Sequence, residues 1–504
     1  MTTVRRRCIS YAEVNKAHSP CGPRAILRLE HRMACNRRTF LKASIAVGAV
    51  GGTSMASGAR DKAAATEQMV TFTRRVPVRH EVDVFVAGGG PAGIAASVAA
   101  ARQGRKVFLA ERHTCLGGMG TAGMVPVFMQ FTDGVNFLAG GIGREVAERL
   151  ATASGFPLRD GLPIKAEVLK RLYDQLLAEA GVDFTFETML VGVEKDAADR
   201  VGHAVLAAKS GLFAVRAKIL VDATGDGDLA AWAGAPFEKG DADGGLMPGT
   251  LCSLWANVDW EAVRKGGLGA GESRLEAAFK DKVFTIEDRH LPGMWQVGDN
   301  IGGGNIGHTF GVDSTDERSV TKALIWGRKV LLEYERYYKQ YLKGFERMTL
   351  VATGSLLGIR ESRRIMGDYV LCLEDFKKRA VFPDEIGRYC YPVDIHASRP
   401  DRANYDRFAE EFKTLRYARG ESYGIPYRIL TPRGLANVLV AGRCVSSDRY
   451  IQGSIRVMPG CFITGQAAGV AAAIAIEKGA DTRGVAVREL QARLKKLGAF
   501  LPNC

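Results

Sequence analysis

Between Val82 and Glu111 the chain reads as a short apolar run (Val82–Ala87) and a glycine turn, Gly88-Gly-Gly-Pro-Ala-Gly93. An Ala-rich segment to Gln103, a second apolar run (Lys106–Ala110) and the acid Glu111 follow. Strand, turn, helix, strand and acid in this register predict a βαβ unit that binds a dinucleotide. The glycines have separate tasks. Gly88 allows the tight turn, Gly90 lets backbone N–H groups approach a pyrophosphate, and Gly93 lets the helix pack on its strand. Pro91 suits the first helical turn, where its missing N–H costs nothing. The helix N-terminus then offers partial positive charge to phosphate. Glu111 falls where an acid accepts hydrogen bonds from a ribose diol.

At 504 residues the chain is too long for one simple core, so two domains are expected. The net charge of +14 is concentrated at the start: residues 1–65 hold 12 Lys/Arg and three Asp/Glu. That distribution argues against a nucleic-acid partner. Within the leader, Asn36-Arg37-Arg38-Thr39-Phe40-Leu41-Lys42 precedes a weakly apolar stretch, Ala43–Gly52, and then small residues. It resembles a twin-arginine export signal. The resemblance implies the twin-arginine export machinery as a partner, a periplasmic or secreted location, and cleavage after Ala56 or Ala65. No apolar run of transmembrane length is read, so no stable membrane span is expected in the mature protein. Seven of the ten cysteines follow the leader, and no Cys-x-x-Cys occurs. This argues against a dithiol redox pair, attached haem or common iron–sulfur clusters, so electrons must pass to or from a separate acceptor or donor. No helical His-x-x-x-His pair or Cys cluster marks a metal site, and none is expected.

Further along, Leu116-Gly-Gly-Met-Gly-Thr121 predicts a loop passing close to a ligand. Apolar residues at helical spacing predict a helix over 163–180, ended by Gly181. β-like runs around Phe184, Val191, Val205 and Val215 predict a meander leading into a buried strand, Lys218–Gly225. Ser314 and Glu317 suggest a capping box for a long helix reaching about Tyr341. Gly302-Gly-Gly304-Asn-Ile-Gly307 also matches GxGxxG, but no apolar strand precedes it, and it is read as a loop. Asn437–Gly442 is a buried strand, and Gly460–Glu477 an Ala-rich helix. The expected organisation is a leader over 1–65, nucleotide-binding segments over 78–235 and 431–480 around a substrate domain over 236–430, and a tail over 481–504.

A local Rossmann dehydrogenase site would not need the second strand–glycine–helix unit more than 340 residues downstream. The arrangement resembles the glutathione-reductase-like FAD fold. Gly88–Gly93, Leu116–Gly118, Ala223-Thr-Gly-Asp-Gly227, Gly358-Ile-Arg-Glu-Ser-Arg-Arg364, Ala441-Gly-Arg443 and Ser454-Ile-Arg-Val-Met-Pro459 occur in order over residues 80–478. Together they resemble the FAD-dependent oxidoreductase family. The resemblance implies an α/β fold: a doubly wound, Rossmann-like FAD-binding domain with an inserted α+β substrate domain. It also implies FAD contacts from Gly88, Gly90, Pro91, Ala92, Gly93, Glu111, Arg112, Gly117, Gly118, Met119, Thr121, Val191, Ala223, Gly225, Gly442, Met458 and Gly460. Many relatives of the fold carry an acid where this chain has Arg443, which leaves that residue's role in FAD binding open. Covalent attachment of the flavin also stays open, with Cys115 near its expected path.

Arg360, Arg363 and Arg364 are spaced to share one face of a helix and to clamp an acidic or hydroxylated substrate. Structural ion pairs to Glu361, Asp368 or Glu374 are the competing reading. His308 and His396 are the candidate bases that take an alcohol's proton as hydride moves to flavin N5. Arg456 precedes the flavin-facing helix and either binds substrate or pairs with reduced flavin. The expected activity is dehydrogenation of a polar small molecule, a sugar-like alcohol or hydroxy acid. Reduction of an activated C=C bond, as in fumarate-reductase-like flavoproteins, is one alternative, with an Arg as proton donor. A non-catalytic FAD-binding subunit is the other.

Overall fold

Six strands between residues 78 and 222 build the sheet that carries the glycine turn. In this computed structural model, residues 70–266, 271–290 and 293–504 are described. The twin-arginine segment with Arg37 and Arg38 lies outside them. The strands are β1 (Val78–Ala87), β2 (Val107–Ala110), β3 (Asp183–Thr185), β4 (Met189–Ala197), β5 (Arg200–Ala208) and β6 (Gly211–Asp222), in the order β3-β2-β1-β6-β5-β4. β1, β2, β3 and β6 run parallel, β4 and β5 antiparallel, and the late strand Val438–Val440 joins β6 in parallel. The expected meander is β4-β5-β6, whose last strand runs straight on into the buried Lys218–Asp222 segment, while β3 belongs to the parallel part. Every side chain of β2 is buried, as an all-apolar strand covered on both faces requires. The result is a mixed α/β fold with a parallel sheet.

Two helices cover one face of this sheet. α1 (Pro91–Arg102) begins at the glycine turn, and the helix Met458–Lys478 packs along it. Their closeness depends on glycine. A Cβ at Gly465 would lie 2.1 Å from the Ala92 carbonyl oxygen, and one at Gly469 2.2 Å from that of Ala96. The Ala-rich faces opposite complete the contact. Met458–Lys478 has the length and hydropathy of a membrane span, contrary to the sequence reading, yet 94% of the qualifying window is buried inside the fold.

A separate core lies in the region between these segments. The strands Thr349–Thr353, Ser253–Ala256, Ile301–Asn305 and Gly293–Gly298 form an antiparallel sheet in that order, packed against the helix Glu317–Tyr341. Four sequence expectations need correcting. The Gly302–Gly304 run is a central strand, because its bare glycines fit against Met294, Pro126 and Ser253, where Cβ atoms would sit 2.4–2.9 Å away. The long helix is capped by Asp316, whose side chain accepts from Arg318 N, whereas Ser314 donates to Asp226 Oδ1. Residues 359–363 are not helical: they run irregularly from a bridge at Gly358 into a two-residue strand, Arg364–Ile365, since ion pairs and backbone partners on several elements hold each arginine apart. The tail after 480 contains a helix, Val487–Lys496, with Leu490 and Leu494 fully buried.

Candidate active site

The C-terminal ends of β1 and β6 open onto a cavity of about 900 Å³, at the edge where parallel α/β sheets hold their ligands. At one end Gly88 stands at φ +97°, and a side chain there would also strike the Ala223 carbonyl oxygen at 2.6 Å, so both features call for glycine. Gly90, by contrast, has no protein atom within 4 Å of a would-be Cβ, so the space beside it belongs to the cavity. Pro91, Ala92, Glu111, Arg112 and Val191 line the same end. Glu111 Oε2 accepts from Gly89 N at 2.6 Å and Oε1 from His113 N at 2.8 Å, which orients the carboxylate at the wall. Gly118, Met119, Ala223, Gly225, Gly442 and Met458 continue the lining.

Four of the expected contacts stand behind the lining. Gly93 packs against Gly88, where a Cβ would meet the carbonyl at 1.9 Å. Gly117, at φ +103°, donates its N–H to Gly89 O, so it docks the Leu-Gly-Gly loop onto the glycine turn. Thr121 Oγ1 donates to Leu116 O and braces that loop from inside. Gly460 makes room for the Ile455 carbonyl and the Tyr389 ring. Cys115 is buried but is not part of the wall, whereas Cys252 and Cys461 are. Arg443 does line the cavity, held to Asp226 Oδ1 at 2.5 Å and donating to Gly225 O. Asp226, from the Thr224-Gly-Asp226 turn, thus places a carboxylate beside Arg443 on the same wall.

The far end is a different chemical environment, built by Thr250, Cys252, Asn305, Arg360, Tyr391, Asp394, His396 and Arg456. Arg360 is 7% exposed. Its guanidinium donates to Pro248 O and Thr250 Oγ1 at 2.8 Å and to Asn305 Oδ1 at 3.3 Å. No carboxylate among the described residues forms an ion pair with it. Burial and the neighbouring Arg456 cation push its pKa down to about 10. Arg456 Nη2 reaches Asp394 Oδ2 and its backbone carbonyl, both at 3.0 Å, while its Nε is buried without a partner.

His396 reaches the wall and His308 does not. His396 Nε2 lies 3.4 Å from Asp394 Oδ1, and its Nδ1 lies 3.0 Å from Nε2 of His308. His308, 4% exposed, sits one layer deeper with Nδ1 3.0 Å from Asp288 Oδ2. Burial lowers the pKa of both imidazoles, against the opposing pull of Asp288 and Asp394. Burial would raise the Asp288 carboxyl, but His308 and the Tyr405 hydroxyl, which donates at 2.6 Å, hold it below the usual range. As a direct base His308 is therefore displaced: it touches the cavity only through His396. Arg364 is also off the wall, paired with the fully buried Glu361 at 2.8 Å and donating to Gly240 O. Arg363 lines the cavity and pairs with Asp228 at 2.7 Å.

Sequence reasoning missed Asp226, Asn305, Tyr391, Asp394, Asp288 and His290. Two carried a local signal, Asp226 inside a glycine turn and Asp394 two residues before His396. The others are ordinary loop and strand residues until the chain folds.

The family profile of "FAD dependent oxidoreductase" matches residues 83–494. The chain belongs to this family. It is an FAD-dependent oxidoreductase, and FAD is its cofactor. The residues fit that group: two helix N-termini, a Gly90 face open to ligand, and a cavity at the upper end of the usual ligand-site range. No functionally curated protein matches the chain. Among solved structures, a geranylgeranyl bacteriochlorophyll reductase-like protein from Thermoplasma acidophilum is similar at 14% identity and TM-score 0.44, covering 83% of this chain and 84% of that one. An L-proline dehydrogenase from P. horikoshii aligns at 11% identity and TM-score 0.40, over 84% and 99% of the two chains. A p-nitrophenol 4-monooxygenase from Pseudomonas putida aligns at 12% identity and TM-score 0.37, over 83% and 86%. None of these likenesses bears on the substrate.

Proposed function

We propose that this FAD-dependent oxidoreductase dehydrogenates a small hydroxy acid, with the flavin held as in the glutathione-reductase-like arrangement. One observation carries the reading: Arg360 is a buried guanidinium whose hydrogen-bond partners are all neutral. A buried cation that no carboxylate touches is costly even with Asp394 and Asp288 within electrostatic reach, and a substrate carboxylate entering the cavity relieves that cost. Its planar fork suits a carboxylate better than a lone hydroxyl does.

FAD supplies the two-electron acceptor when bound. The protein's part is positioning and charge. Arg360 binds the carboxylate, with Asn305 and Thr250 fixing the guanidinium plane. The alcohol carbon is then directed at the flavin, and its hydroxyl at the His396–Asp394 edge, where the proton is received. Overall the substrate loses a hydride and a proton to become a keto acid, and a separate carrier reoxidises the flavin. Export through the twin-arginine route, and so a periplasmic carrier, is part of this proposal and rests on Asn36–Lys42.

Anaerobic mixing with a panel of hydroxy acids, polyols and sugars tests it. Bleaching of the flavin by a hydroxy acid, and weaker bleaching by its amide, is the expected result. Bleaching by uncharged polyols alone would remove the carboxylate from the proposal. Consumption of pre-reduced flavin by an unsaturated acid, without bleaching by any alcohol, would reverse its direction.

A further inference from the structure

Asp288, His308, His396 and Asp394 form an unbroken row at the substrate end of the cavity. The three gaps along it are 3.0 Å (Asp288 Oδ2 to His308 Nδ1), 3.0 Å (His308 Nε2 to His396 Nδ1) and 3.4 Å (His396 Nε2 to Asp394 Oδ1). A neutral imidazole carries one N–H. If His308 gives its N–H to Asp288, His396 must donate into the central gap, and its Nε2 lone pair then faces the Asp394 carboxylate. If His308 donates into the gap instead, its own Nδ1 lone pair faces Asp288. Either way one carboxylate meets a lone pair. The row is short of one positive charge, and its place is the central gap. Either a third proton or a metal cation there would satisfy both carboxylates.

A third imidazole indicates what fills the gap. The ring centre of His290 lies 4.8 Å from that of His308 and 4.6 Å from that of His396. One nitrogen from each of the three rings falls within 4.8 Å of the others. Nitrogens bound about 2.0–2.1 Å from one ion sit roughly 2.8–3.4 Å apart at octahedral to tetrahedral angles. The His308–His396 pair already has that spacing. Both of these histidines also present their far nitrogen to a carboxylate, the outer-shell arrangement that orients metal-bound imidazoles.

We propose that His290, His308 and His396 bind one divalent transition-metal ion at the wall of the FAD cavity. Three neutral imidazoles suit zinc and its first-row neighbours rather than calcium or magnesium. Binding is balanced without loss of a proton: the ion takes the central gap, and the hydrogen of His396 moves from Nδ1 to Nε2, where it donates to Asp394. His308 keeps its N–H on Asp288. His290, an exposed side chain, closes the remaining distance by rotating. This rests on the dehydrogenase reading and changes one role in it: with the ion in place the histidines would be its ligands, the ion would polarise the alcohol, and the alcohol's proton would pass to Asp394 on the cavity wall instead of to His396.

The test needs no substrate. Full-length flavoprotein, purified without a metal-binding tag, is dialysed against zinc and then against metal-free buffer, and its zinc and flavin are measured together. Wild type should retain stoichiometric zinc, and His290→Ala and His308→Gln should retain none. Asp288→Asn should weaken retention roughly 10- to 100-fold. Flavin absorbance at the wild-type level reports that each variant is folded. His290→Ala is decisive should the buried variants fail to fold, because His290 lies at the surface. Fully flavinylated wild type without zinc, or equal zinc in wild type and His290→Ala, overturns the metal site. Either result leaves bleaching by hydroxy acids, and so the dehydrogenase reading, untouched.

Discussion

At the scale of single residues, position in the wall decides what a substitution does. Gly90 and Gly93 belong to one motif, yet they predict opposite phenotypes. A side chain at Gly93 collides with the Gly88 carbonyl, whereas at Gly90 nothing of the protein is in the way. Gly90→Leu should therefore give a folded, colourless protein, because the side chain occupies the space needed by the pyrophosphate. Circular dichroism and the flavin spectrum check this together; a yellow Gly90→Leu protein would mean that the cofactor takes another path. Arg360 predicts a change in selectivity. Arg360→Met removes the charge at similar length, and a charge-assisted contact is worth roughly 10- to 100-fold in affinity. The preference for a hydroxy acid over its amide should shrink by that factor in kcat/KM. An unchanged preference would show that the anion binds elsewhere.

At the scale of elements, the interface between α1 and the helix Met458–Lys478 joins the first and last parts of the nucleotide site. Gly465 sits against the Ala92 carbonyl of α1 at a distance that admits no Cβ. Gly465→Val should push the helices apart and cost about 3 kcal/mol or more, beyond the usual overpacking penalty because the obstacle is backbone. A lower melting temperature and loss of bound FAD should appear together, since Gly442 and Met458 lie on the same return segment. A variant melting like wild type would show that the helices have room to yield. Element reading from sequence succeeded where one face or one turn decides the structure: β1, α1, β2, the helix Ala166–Glu179 and the helix ending at Tyr341 are local patterns. It failed at Gly302–Gly304, where a strand is held by what Met294, Pro126 and Ser253 leave empty. It failed again at Arg360–Arg364, where the helical spacing of the arginines is coincidental and distant partners dictate an extended path.

At the scale of the whole molecule, export and cofactor loading are coupled in the proposed life of the protein. The twin-arginine route carries folded proteins, so FAD should be bound before export. Replacing Arg37 and Arg38 together with lysine should leave a yellow precursor in the cytoplasm, because lysine lacks the guanidinium geometry a receptor reads. Cell fractionation checks it, and an unchanged periplasmic fraction would remove the signal. The nucleotide half of the site was legible in sequence because its parts are backbone devices: a glycine at positive φ, a proline at a helix start, an acid at a strand end. Each works within a few residues of itself, and periodicity and spacing record it. The substrate half was legible only as candidates. Arg360, Asn305, Asp394, His396, Asp288 and His290 come from segments up to 108 positions apart, and nothing local distinguishes Arg360, which faces the cavity, from Arg364, which is locked to Glu361. Sequence alone determined the family, the cofactor and the glycine-rich end of the cavity. Tertiary packing alone decided which buried arginine is left without an ion-pair partner and which histidines converge, because desolvation and side-chain convergence are properties of the folded interior.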